Sequence, residues 1–183
     1  MNADDEHTIR HYLESRFKST FEERVARALE LRPQLIVPNH HFAQASTECV
    51  YLYRDGYFLA TAMTTQAVCE GLIRFIAERN AIAPNQDLIG LVGIFLAKNI
   101  VSQSCSEAMN GILKSFRNDF HHQNPSIATV PVQGIAKRNI EDLATIEKEI
   151  FDHAIENGKL SPKQPKYWDA TSNGTFLVNI RFG

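Results

Sequence analysis

Between Tyr57 and Arg79 the apolar residues Ala60, Met63, Ala67, Val68, Leu72, Phe75 and Ile76 recur at helical intervals. At 3.6 residues per turn they form one broad apolar face rather than a narrow stripe. A helix of this kind is covered on much of its circumference, so the spacing predicts a central helix with others packed around it. The rest of the chain must then supply partners of the same type.

The flanking segments do supply them. Thr20-Phe21-Glu22-Glu23 opens a segment with a capping residue, and Val25, Ala28, Leu29 and Leu31 follow at helical spacing until Pro33. Leu35-Ile36-Val37-Pro38 reads as a short extended crossing, and residues 40–53 read as a helix that breaks at Arg54-Asp55-Gly56. Asn80 to Pro84 turns the chain, and Leu88 through Leu96 is a nearly all-apolar helix too short to span a bilayer. Ser104 to His122 carries Met109, Ile112, Leu113, Phe116 and Phe120 within one arc of a helix that Asn124-Pro125 stops.

After a loop rich in β-branched residues and proline, Gly134 to Glu156 resumes helical spacing through Ile140, Leu143, Ile146, Ile150 and Ala154. Asn157-Gly158 supplies its stop. The period then changes: Phe176, Val178, Ile180 and Phe182 alternate with Thr175, Leu177, Asn179 and Arg181 after Asn173-Gly174, so Lys166 to Phe182 reads as a β-hairpin. The expected fold is all-α with one domain over residues 1–183: a helical bundle over 21–157 and a β-hairpin appended over 163–183.

Composition narrows the function classes. With 183 residues, 44% of them hydrophobic, the chain can build one sizeable core. Cys49, Cys69 and Cys105 are odd in number and widely spaced, which suggests neither a disulfide framework nor a zinc site and fits a reducing cytoplasm. The acidic start Met1-Asn2-Ala3-Asp4-Asp5-Glu6 leads into no apolar run of signal-peptide type, and no membrane partner is expected. A net charge of -2 gives no global pull toward nucleic acid, so any RNA contact must come from a local patch.

One string offers such chemistry: Phe116-Arg117-Asn118-Asp119-Phe120-His121-His122. A guanidinium holds a phosphate bidentately, and an imidazole that titrates near neutrality moves a proton beside it. Together they suffice to cleave an RNA phosphodiester with no metal or cofactor. Lys114, Lys137 and Arg138 are the candidates for contacts to the RNA backbone.

The order of elements and the Arg-Asn-x-x-x-His string, on Arg117, Asn118 and His122, resemble the HEPN superfamily, the all-α domains named for higher eukaryotes and prokaryotes nucleotide-binding. The hallmark of that family is Arg, four to six residues, then His, very often with a polar residue directly after the Arg. The resemblance covers roughly residues 21–157 and leaves the C-terminal hairpin outside. It implies a metal-independent endoribonuclease of the toxin-antitoxin, phage-exclusion or CRISPR kind. It further implies a homodimer that places both motifs in one cleft, and an antitoxin or regulatory protein as a further partner. Other family members are inactive binding modules, so a module that binds a protein or nucleotide partner stands as the alternative.

Helix geometry leaves the histidine open. Residues five apart lie about 140° apart around a helix and residues four apart about 40°. The family spacing selects His122, provided the helix unwinds near Asn124-Pro125, whereas the wheel selects His121 and gathers Asn110, Lys114, Arg117 and His121 on one polar flank. Simpler structural roles compete at several positions. Arg and His at a helix end also cap carbonyls or favour the negative end of the dipole. Gln66 and Glu70 on the central helix are suited either to position Arg117 or to a plain polar pair. His7 and His11 have metal-pair spacing but no third ligand, which favours a solvated N-terminal helix.

Overall fold

The helix expected at the centre is there, and the molecule is built around it. A computed structural model of the chain describes residues 3–31, 33, 35–83, 87–122 and 124–181, without the side chains of residues 3, 4, 117, 118, 121 and 126. The helices are α1 (Ala3–Glu30), α2 (Ala43–Arg54), α3 (Phe58–Arg79), α4 (Leu88–Ala97), α5 (Gln103–Lys114), α6 (Arg117–His122) and α7 (Val132–Ile150). Among the described residues four short strands accompany them: β1 (Ile36–Pro38), β2 (His153–Glu156), β3 (Lys159–Pro162) and β4 (Val178–Ile180). The fold is mostly helical, and among the described residues no helix is long and apolar enough to cross a membrane.

Helix α3 buries Val68, Cys69, Leu72, Ile73 and Ile76 against Leu91 and Phe95 of α4, Met109 and Ile112 of α5, and Ile146 and Ile150 of α7. Each fully buried side chain of this size stabilises the fold by about 1.5–3 kcal/mol. Helices α4 and α5 begin where the sequence provides caps. The Asp87 carboxylate accepts from the Gly90 amide at 2.8 Å, and the Ser102 hydroxyl accepts from the Cys105 amide at 3.2 Å. All three cysteines are buried, and desolvation raises each thiol pKa, that of Cys69 to about 12.

The C-terminal segment returns to the start of the bundle. Strand β4 pairs antiparallel with β1 in the register Ile36↔Ile180, Val37↔Asn179 and Pro38↔Val178. Arg181 then enters the interior. Its guanidinium donates to both carboxylate oxygens of Glu147 on α7, at 2.5 and 2.9 Å, and to the Ser46 hydroxyl on α2 at 2.8 Å. Ser46 donates in turn to Glu147 at 2.6 Å, and the Arg181 Nε donates to the Thr47 hydroxyl at 3.2 Å. All three of Arg181, Glu147 and Ser46 are less than 5% exposed, so this ion pair is desolvated and its polar atoms are satisfied inside the protein.

Five sequence expectations are revised. The first helix is one continuous element of 28 residues and takes in His7 and His11. The helix expected over 134–156 stops at Ile150, and its last residues form β2 instead. Asn157 (φ 51°) and Gly158 (φ 75°) are both left-handed, the backbone of a two-residue hairpin turn, so they join β2 to β3 rather than stop a helix. The hairpin expected over 166–182 is reduced to a single bridge, Ala170 to Phe176, because β4 takes β1 as its partner. Finally, the helix expected over 104–122 is two helices, α5 and α6.

Candidate active site

The break between α5 and α6 decides how the Arg-Asn-x-x-x-His string is presented. Ser115 ends α5 by donating its hydroxyl to the Ile112 carbonyl at 2.7 Å. Phe116 then takes φ +54°, a left-handed backbone that costs an aromatic residue about 1–3 kcal/mol. A buried polar seam holds this turn. Gln66 of α3 donates its amide to the Ser115 carbonyl at 2.7 Å and to its hydroxyl at 3.0 Å. Asn139 of α7 donates to the Ser115 hydroxyl and to Thr65 of α3, each at 3.1 Å. The Gln66 carbonyl oxygen is buried and has no hydrogen-bond partner among the described residues.

Beyond the break, Phe120 fastens α6 to the bundle. Phe120 is fully buried in a cluster with Ala62 of α3 and Ile135 of α7, and Leu59, Met63, Ile127 and Val130 pack around it. Its ring lies 6.3 Å from that of Phe116, which is half exposed. On the far side of α6 the Asn124 side chain donates to the Asp119 carboxylate at 3.2 Å.

All of the motif positions Arg117, Asn118, His121 and His122 fall on α6. The side chains of Arg117, Asn118 and His121 lie outside the described residues, and His122 is exposed. Because α6 stays helical through His122, the expected unwinding near Asn124-Pro125 is replaced by a break upstream of Arg117. Within α6 the wheel therefore still applies: positions 117 and 121 share a face and position 122 points about 140° away from 117. Asn110 and Lys114 lie on α5, whereas positions 117 and 121 lie on the separate helix α6.

The three cations proposed for the RNA backbone separate into two groups. Asn139 meets Ser115, and Gly111 lies so close to Asp142 that an added Cβ would stand 2.7 Å from its carboxylate. Helices α5 and α7 therefore run antiparallel, and Arg138 comes level with Lys114 at the end where α6 begins. Lys137 faces the other way and pairs with Glu30 of α1 at 3.1 Å, while Tyr53 of α2 donates to the same carboxylate. Glu70 also serves a local pair, receiving Arg74 at 2.9 Å. Lys114 further lines a groove of about 550 Å³ between α4 and α5, with Gln103, Glu107, Asn110, Ile89 and Leu96.

Sequence reading missed two features of this end of the bundle. Burial raises the Asp142 carboxyl to about pH 6, against the opposing pull of Arg138. No periodicity signals a carboxylate pressed on a glycine of the neighbouring helix. The seam left a fainter trace: Thr61 and Thr65, one turn apart, put polar groups on a helix face that is otherwise apolar. Comparison of the chain with family models, with curated proteins and with solved structures finds no match in any of the three.

Proposed function

We propose that the chain is a HEPN-like helical bundle acting in the cytoplasm as a metal-independent endoribonuclease of a defence or toxin-antitoxin system, with α6 as its catalytic element. The observation that carries this reading is the strained turn at Phe116, clamped by Gln66 and Asn139, which sets the Arg-Asn-x-x-x-His string apart on a short helix of its own. Strain of this kind persists only where surrounding groups enforce it, and it gathers at working sites.

In this reading an imidazole takes the proton of a ribose 2′-OH. That oxygen bonds to the adjacent phosphorus, the bond to the 5′-oxygen breaks, and a second acid protonates the leaving oxygen. The Arg117 guanidinium stabilises the charge that develops on the non-bridging oxygens, and Asn118 orients the phosphate or a histidine. Positions 117 and 122 diverge around α6, so His122 of one chain serves Arg117 of its partner in a homodimer, or His121 serves it within one chain. Lys114 and Arg138 carry the neighbouring phosphates. DNA lacks the internal nucleophile and is spared.

The test is incubation of the purified protein with total RNA in EDTA. Fragments ending in 2′,3′-cyclic phosphate are expected, and Arg117→Ala should slow their formation about 10²–10³-fold. His122→Ala should do the same if the site is shared, and His121→Ala if it lies within one chain. An intact RNA pool in every case, with an antitoxin or nucleotide copurifying, would replace the ribonuclease by an inactive HEPN-like binding module.

A further inference from the structure

Every described residue from Asp5 to Ser19 is exposed, although α1 carries Ile9, Leu13, Phe17 and Phe21 there and just beyond at intervals of four. These four side chains are between 45% and 56% exposed. The second half of α1 is held to α2, where Arg27 donates to the Arg54 carbonyl at 2.8 Å and Leu31 packs with Val50 and Tyr53. The first half projects: a helix of 28 residues is about 42 Å long. Before Thr20 the Arg16 guanidinium ties it to the body, donating to the Tyr57 hydroxyl at 3.3 Å.

We infer that this ridge is the surface on which a second copy of the chain docks, the two α1 helices packing antiparallel about a two-fold axis near Ser15. Size supports a stable pair. Four half-exposed apolar residues offer roughly 90 Å² each, so two copies hide roughly 720 Å² of apolar surface. With the polar rim that usually makes up about 40% of an interface, the total reaches roughly 1,200 Å².

Charge supports the pairing and its direction. A parallel, in-register pair sets Asp5 and Glu6 beside their own copies and aligns two helix dipoles, both of which repel. In the antiparallel pair Leu13 lies against the partner's Phe17, Ile9 near the partner's Phe21, and Glu6 near the partner's Arg24. Arg24 is suited to receive it. Its guanidinium lies over the Phe17 ring at 5.0 Å and reaches Asp55 only at 3.6 Å, and its Nε is buried with no partner among the described residues.

Sedimentation equilibrium on the full chain tests this. The wild type should have the mass of a dimer, and Leu13→Asp and Phe17→Asp should each give monomers with unchanged circular dichroism, since neither side chain belongs to the body. Glu6→Arg alone and Arg24→Glu alone should each weaken association about tenfold, while an equimolar mixture of the two, which restores both cross-chain pairs, should recover wild-type affinity. A monomeric wild type at the highest soluble concentration, dimers that persist in Leu13→Asp, or a mixture no tighter than its components would overturn the proposal. Arg117→Ala should leave the mass unchanged, so the ribonuclease reading and this one fail separately.

Discussion

Two polar seams cross the apolar interior, and they are built on different terms. At the C-terminal strand the seam is ionic: Arg181, Glu147 and Ser46 bond mutually, with nine-tenths or more of each hidden from water. At the α5–α6 break it is neutral: Gln66, Thr65, Asn139 and Ser115 share hydrogen bonds, and one buried acceptor, on Gln66, is left over. An ionic seam tolerates only one arrangement, because a single displaced partner strands a charge in low dielectric. A neutral seam costs less to disturb and can hold a strained turn while leaving the helix beyond it some freedom. The first therefore fixes where strand β4 lies against the bundle, and the second holds the turn from which α6 departs.

The difference can be broken open most sharply at Arg181. Arg181→Met should cost about 3–5 kcal/mol in urea unfolding because Glu147 is stranded, and adding Glu147→Leu should restore most of it. If the single change costs as little as a surface substitution, the two seams are energetically alike. A smaller effect is expected from Gln66→Leu, about 1–2 kcal/mol, with faster amide exchange confined to residues 117–122. Global loss of exchange protection would show that the neutral seam also supports the core.

The smallest effect concerns Asp142, beside the neutral seam. Burial pushes its carboxyl up to about 6 in the fold, above the ordinary aspartate range, so the folded state holds the proton more tightly than the unfolded chain. Wild-type stability relative to Asp142→Asn should therefore fall as pH rises from about 4 to about 6 and stay lower above that. The group is half exposed, so screening reduces the difference to about 1 kcal/mol, read from urea midpoints at the two ends of the window. A pH-independent difference would mean that the carboxylate is solvated in the fold.

Helices that bury a broad apolar face were legible from spacing alone, as α3 and α4 show. What spacing could not convey was pairing at a distance. Nothing near Val178 announces that its strand will choose Ile36–Pro38 over the residues just before it, and Asn157-Gly158 carries the same letters whether it ends a helix or turns a hairpin. The break at Ser115-Phe116 was hidden for a related reason. Its enforcers, Gln66 and Asn139, lie far away in sequence, and the apolar arc through Phe116 and Phe120 reads as one helix until they are seen. The motif itself was visible as letters, while its presentation on a separate helix was not.

The pairing of β1 with β4 has a consequence for how the protein is made. As the ribosome extends the chain, Ile36–Pro38 emerges early and Val178–Ile180 long after, with nearly all of the bundle in between. Until Arg181 arrives, the Glu147 carboxylate has no counter-ion, so α2 and α7 cannot close around it without stranding a charge. Contacts between such remote segments form slowly. The Arg181–Glu147 pair and the β1–β4 register can therefore form only after nearly the whole bundle has been synthesised.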